Sequence, residues 1–383
     1  MASPSFIRNV ILKALLLFLL VNLVFAALDP LPAIGRLSAY NHIFPGRVRL
    51  PYGDKPDQAY NLSLFNLPAM FASHELGAKP KTKDEFRLVL IGDSSVWGFL
   101  LKPNQTLSAY LNAAKLTAPD GRPVRVYNVG YPTMSLTKDL LMLDEAMHYQ
   151  PDMVVWLVTL ESFPYDKQLS SPILQHNPKP LQDLIRTYSL KLNPDDPALT
   201  KTTSWGKTIL GERRALADIL RLQLYGILWA ATGIDQYYPE TYEPPQKDLA
   251  ADETFHGLKP PQLYGSDLAF DVLKAGVQHM GAVPILIVNE PVYMSSGQNS
   301  NIRYNFFYPR WAYDQYRQLM TQASHANGWN YLDLWNIIPA DEFTNSAIHL
   351  TPSGTETLAD KVGEAISLII ENSGAVGNGS NNP

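Results

Sequence analysis

Five short apolar runs, spaced by loops and helix-like patterns, set the strongest limit on how this chain folds. They are 86–92 (FRLVLIG), 124–129 (VRVYNV), 153–160 (MVVWLVTL), 283–288 (VPILIV) and 329–334 (WNYLDL). Their length and near-continuous apolar character are those of strands buried on both faces. Helical spacing of apolar residues falls at about 105–116, 136–149, 266–280, 310–327 and 354–371. Strands alternating with helices predict βαβ units and a five-stranded parallel sheet. With right-handed crossovers this is the α/β class, a three-layer α/β/α sandwich, over about residues 85–372. Ligands in such sheets bind outside the carboxyl ends of the strands.

One long stretch, about 161–265, interrupts the alternation between the third and fourth strands. It is rich in proline and polar residues, yet 213–234 is an apolar-biased helical stretch. One reading is an extra helix packed on the domain; the other is a cap over the active site or a surface facing a membrane. Asp218 and Arg221 oppose a second transmembrane span, because charges near the centre of a span are costly to insert.

The N-terminus reads as a targeting segment, 1–28. Arg8 and Lys13 precede an apolar run, 14–28, in which Asn22 is the only polar residue. Counted from Val10 the run is about 19 residues, near the ~20 that span a bilayer. Lys13 lies close enough to its end to snorkel to the headgroups. A retained single-pass anchor with its N-terminus inside is one reading. The other is a cleaved signal peptide, with a small-residue site after Ala26 in Val24-Phe25-Ala26. Either places the remaining chain outside the cytoplasm. Residues 29–84 read as a juxtamembrane and wrapping segment, and 373–383 as a disordered tail.

Composition excludes several functions. The 383 residues carry a formal net charge of -5, with no basic excess to neutralise phosphates, so nucleic acid is not an expected partner. There is no cysteine, which removes disulfides, thiolate metal sites, a cysteine nucleophile and a lipoprotein anchor. No HExxH or similar cluster is present, and neither a metal nor a cofactor is expected.

The chemistry concentrates at two points. Gly92-Asp93-Ser94-Ser95-Val96-Trp97-Gly98 follows the first run and leads toward a helix, which presents Ser94 at the carboxyl edge of the sheet. Its own N–H and a neighbouring one point toward whatever its oxygen attacks. A serine hydroxyl needs a base to take its proton. His349, in Ile348-His349-Leu350-Thr351-Pro352-Ser353-Gly354, lies on the loop after the fifth run, which returns to the same edge.

With these residues in place, the chain resembles the SGNH/GDSL hydrolases over about 85–372, the long insertion excepted. GDSSVWG matches the family's first block and IHLTPSG the histidine end of its last. Tyr127-Asn128-Val129-Gly130-Tyr131-Pro132 falls where the second block begins, and Pro151-Asp152-Met153-Val154-Val155 at the approach to the third. The resemblance implies a flavodoxin-like sheet, Ser94 as nucleophile and oxyanion donor, and His349 as base. It also exposes departures. The oxyanion glycine of the second block falls on Thr133, and the oxyanion asparagine of the third on Glu161. A carboxylate accepts hydrogen bonds and donates none. The aspartate expected three residues before the histidine is Ser346; Asn345 beside it, a backbone carbonyl, or Asp341 folding back would have to orient the imidazole.

Other residues read as structural. Asp333 reads as a strand-end residue and His148 as a helix C-terminal one, favourable to the dipole. His256 and His325 show no partner spacing. The aromatic segment 304–316 reads as packing at a helix start rather than a carbohydrate platform. Arg303 and Arg310 beside it read as salt-bridge partners.

Two functions follow. One is an extracytoplasmic esterase or O-acyltransferase acting on acylated, above all acetylated, envelope carbohydrate, alongside a membrane O-acyltransferase; a lipid ester is the alternative substrate. The other is an SGNH-fold protein that has lost catalysis and binds glycan or another envelope protein.

Overall fold

The computed structural model describes residues 3–53, 57–62, 65–199 and 203–378, with side chains as far as Asn372. The apolar runs form β1 (Phe86–Ile91), β2 (Val124–Asn128), β3 (Met153–Val158), β4 (Ile285–Asn289) and β5 (Asn330–Asp333). All pair in parallel, in the order β2-β1-β3-β4-β5. This is the doubly wound order of flavodoxin-like sheets, whose switch point lies between the first and third strands.

Because side chains alternate across a strand, each strand feeds two cores. Val89, Ile91, Val154, Trp156, Ile285 and Ile287 face one. Leu88, Leu90, Val155, Leu157, Leu286 and Val288 face the other. The helices are labelled α1 (Pro4–Leu28), α2 (Leu67–Ser73), α3 (Ser94–Trp97), α4 (Leu107–Ala113), α5 (Leu136–Met147), α6 (Arg213–Thr232), α7 (Phe270–Met280), α8 (Arg310–Asn327) and α9 (Pro352–Asn378). The other helical segments, among them the ten-residue Pro178–Thr187 within the insertion, are left unlabelled. Helices α2, α5, α7 and α8 cover the first core, and α4 and α9 the second. The three layers expected from the alternation are therefore present.

Boundaries differ where turns intervene. β3 stops at Val158 and gives way to a 3-10 turn, Leu160–Ser162, so the last residues of that apolar run are turn rather than strand. α9 runs on to Asn378, into the expected tail; 379–383 lie outside the described residues.

Residues 38–53, 57–62 and 65–78 are packed on the domain. α2 is buried along its length, and the Trp97 indole N–H donates to the Leu50 carbonyl at 2.8 Å. Within the insertion, α6 buries Ile219, Leu222, Gly226 and Trp229. A Cβ on Gly226 would stand 2.5 Å from the Tyr40 ring, so this crossing requires glycine. Buried Arg49 ties the two segments together. Its Nε donates to Asp235 at 2.8 Å and its Nη1 to the carbonyls of Gly98 and Leu101 at 2.7 and 2.9 Å.

α1 has a Ser3 N-cap, Pro4 in its first turn and Asp29 in a left-handed C-cap. Its apolar side chains are exposed from Phe6 to Leu28. It is the one helix among the described residues long and apolar enough to cross a membrane.

Candidate active site

Ser94 opens α3 immediately beyond β1. Asp93 caps that turn, its carboxylate accepting from the Ser95 N–H at 2.8 Å. At the first helical position the Ser94 N–H has no intrahelical acceptor. Two close approaches hold the turn down. Asn128, at the end of β2, donates to the Val96 carbonyl at 2.6 Å and accepts from the Gly130 N–H at 3.0 Å. A Cβ on Gly130 would stand 2.7 Å from the Trp97 nitrogen.

His349 reaches the same edge from the loop after β5. That loop is fixed by Thr344 N–H donating to the His349 carbonyl and Tyr293 N–H to the Ala347 carbonyl, both at 2.8 Å. Ser94 Oγ and His349 Nε2 are 2.8 Å apart. Asn345 Oδ1 lies 3.2 Å from His349 Nδ1. With that oxygen as acceptor, Nδ1 carries the ring proton and Nε2 is free to accept from Ser94. The Phe99 ring lies over the imidazole at 4.9 Å between centroids. Burial pushes the His349 pKa down to about 4, which keeps the ring neutral at ordinary pH. Asp341 is exposed in the 3-10 turn Ala340–Glu342. Among the described residues, neither Asp341 nor Ser346 hydrogen-bonds the ring; the orienting contact is with Asn345.

Thr133 lies half-buried on the loop after β2, its hydroxyl turned to the Pro132 carbonyl and 3.5 Å from Ser171 Oγ. Glu161 sits in the 3-10 turn beyond β3, with two basic partners. Lys167 Nζ donates at 2.7 Å, and His256 Nε2 lies 3.2 Å from each carboxylate oxygen. His256 Nδ1 also contacts Asp166 at 2.8 Å. Hydrogen bonding to Glu161, then to Asp166, raises the His256 pKa against its partial burial. This corrects the reading of His256 as unpartnered: 95 residues separate it from Glu161, a distance no local spacing rule covers. It also changes the expected effect of Glu161, whose charge is compensated where it stands.

Beneath Ser94 lies a buried acid pair that sequence reasoning passed over. Ser95 Oγ donates to Glu290, which follows β4, and Glu290 in turn faces Asp93. Burial first, and then the Asp93 charge, push Glu290 well above the usual carboxylate range; burial raises Asp93 as well. Lys138 crosses the same region, donating to the carbonyls of Gly92 at 2.7 Å and Tyr131 at 3.0 Å, and to Asp139.

The remaining candidates are structural. Asp333 ends β5 and pairs with Arg317 at 2.8 Å. His148 is the C-cap of α5. Tyr308, Tyr313 and Tyr316 are fully buried, so the aromatic segment packs. Arg303 and Arg310 depart from expectation: they donate to backbone carbonyls, Arg303 to those of Asp252, Asn305, Phe306 and Phe307, and Arg310 to that of Ser300.

No family model matches the chain, and no curated protein does. Solved structures similar to it include a member of the lipolytic protein G-D-S-L family from Veillonella parvula DSM 2008, at 8% identity over 73% of this chain and 96% of that one, TM-score 0.36. A catalytic mutant of an acetylxylan esterase from Geobacillus stearothermophilus is similar at 12% identity over 73% of this chain and 93% of that one, TM-score 0.36. A carbohydrate acetylesterase family member from Sinorhizobium meliloti is similar at 13% identity over 74% and 99%, TM-score 0.32.

Proposed function

We propose that this chain is an ester-processing serine enzyme of SGNH type, held outside the cytoplasm by α1 as a retained anchor. The 2.8 Å contact between Ser94 Oγ and His349 Nε2 carries this reading. Ser94 Oγ bonds to the acyl carbon as its proton passes to Nε2, and the imidazolium then protonates the departing alkoxide. Water, or a sugar hydroxyl in transfer, releases the acyl group by the same steps reversed. Asn345 holds the Nδ1–H tautomer throughout but, being neutral, stabilises the imidazolium less than an aspartate does. The Ser94 N–H and that of Thr133 are the candidate oxyanion donors. Acetyl esters of envelope carbohydrate are the proposed substrates, with a membrane O-acyltransferase as proposed partner; long-chain lipid esters are the alternative.

A second reading, glycan binding without catalysis, is favoured by Glu161 in the place of an oxyanion asparagine. Labelling with a serine-directed fluorophosphonate separates the two. Labelling that disappears in Ser94→Ala supports the enzyme; folded protein that stays unlabelled supports the binding protein.

A further inference from the structure

Outside α1, the exposed large apolar side chains are concentrated. Among the described residues, all but Tyr264 and Leu368 fall within residues 37–52 or 205–237. These two segments are neighbours: Ser38 Oγ and the Tyr40 N–H each donate to Gln223 Oε1 at 3.4 Å.

Helix α6 is apolar on two opposite faces. Ile219, Leu222, Gly226 and Trp229 are buried, whereas Leu220, Leu224, Ile227 and Leu228 recur at helical spacing on the exposed side. Leu220 is 63% exposed and Leu224 56%. Arg213, Arg214 and Arg221 flank this stripe and Asp218 is its one acid, pairing with Arg221 at 2.9 Å. An exposed apolar stripe with a basic flank is the pattern of a helix lying in a membrane interface.

The loop before α6 fixes where that surface sits. Leu210 N–H donates to Asn22 Oδ1 at 3.4 Å, and Lys207 Nζ contacts Asp29 at 2.7 Å. Asn22 is six residues before the end of α1, about 9 Å along its axis. The apolar run from Val10 to that end is about 28 Å long, close to the ~30 Å hydrocarbon thickness. A span of that length carries the Leu210 contact to the bilayer's own depth. Trp205, in this loop and 65% exposed, suits the headgroup level, where tryptophan is enriched.

We infer that the exposed face of α6, together with Trp205 and the loop against α1, is seated in the outer interface of the bilayer that α1 spans. The domain is then held at two places, a span and an interfacial helix. This rests on α1 being retained as an anchor. It is independent of the chemistry at Ser94.

The cysteine-free chain permits a direct test. Full-length Leu224→Cys, Leu368→Cys and Leu16→Cys proteins are labelled with an environment-sensitive fluorophore and reconstituted in phosphatidylcholine–phosphatidylglycerol vesicles, with and without doxyl-labelled phosphatidylcholine. Leu368, exposed on α9 across the sheet, reports water, and Leu16, within α1, reports the span. The expected result is blue-shifted Leu224→Cys emission that loses most of its intensity to the doxyl lipid, with Leu368→Cys unchanged. Emission from Leu224→Cys matching that of Leu368→Cys, while Leu16→Cys is quenched, overturns the inference and leaves the anchor standing. An unquenched Leu16→Cys overturns both. A blue shift without lipid quenching overturns it in favour of a protein covering the stripe.

Discussion

Among the described residues, the imidazole of His349 is hydrogen-bonded by Asn345 and by no carboxylate. Its low pKa follows from burial, and Asn345 supplies direction without charge. In the proposed mechanism neutral imidazole is the reactive form. Fluorophosphonate labelling of Ser94 therefore rises as pH increases through about 4 and stays level above it. Asn345→Asp places a negative charge at Nδ1, which favours the imidazolium. The rise then moves to higher pH and the plateau rate increases. Asn345→Ala lowers the plateau, by less than the ~10⁴ that loss of a buried triad acid costs. A labelling profile in Asn345→Asp identical to wild type contradicts this role for the residue. The same pKa shift bears on stability. A histidine whose pKa lies lower folded than unfolded binds more protons unfolded, so its contribution is complete above about 6.5. It is lost as pH falls toward about 4, and buried His74 acts with His349 in that window.

The turn that carries Ser94 depends on a crossing between elements. The loop after β2 passes so close to α3 that Gly130 leaves no room for a methyl group. Gly130→Ala forces one of them to move, at about 1–3 kcal/mol for overpacking. Both the melting temperature and the Ser94 labelling rate measured below it are expected to fall. A drop in stability with an unchanged labelling rate means that α3 keeps its place without this crossing. Strands and helices themselves were legible because apolar runs and helical spacing are local signals. Their ends were less so: the 3-10 turn after β3 begins within a still-apolar run, and α9 outlasts its apolar spacing.

Across the whole molecule, buried Arg49 joins the segment before the domain to the insertion through Asp235, and to the loop after Ser94 through the carbonyls of Gly98 and Leu101. Asp235→Ala leaves the guanidinium unpaired and is expected to cost about 3–5 kcal/mol. A calorimetric change well under 1 kcal/mol means that the carbonyls of Gly98 and Leu101 alone satisfy Arg49. By itself, the sequence determined the alternation that makes a parallel sheet, the apolar N-terminal run, and Ser94 just after one strand with His349 on the loop that follows another, which a parallel sheet brings to one edge. All of these follow from local periodicity and chain order. Only the tertiary structure decided that Asn345 faces the imidazole, that His256 and Lys167 compensate Glu161, and that Glu290 and Asp93 share a buried site. It alone set the second apolar face of α6 beside α1. Asn345 lies four positions from His349 and Lys167 six from Glu161, in loops that have no periodicity; the other meetings join residues 95 or more positions apart, and the packing that sets them leaves no periodic trace in the chain.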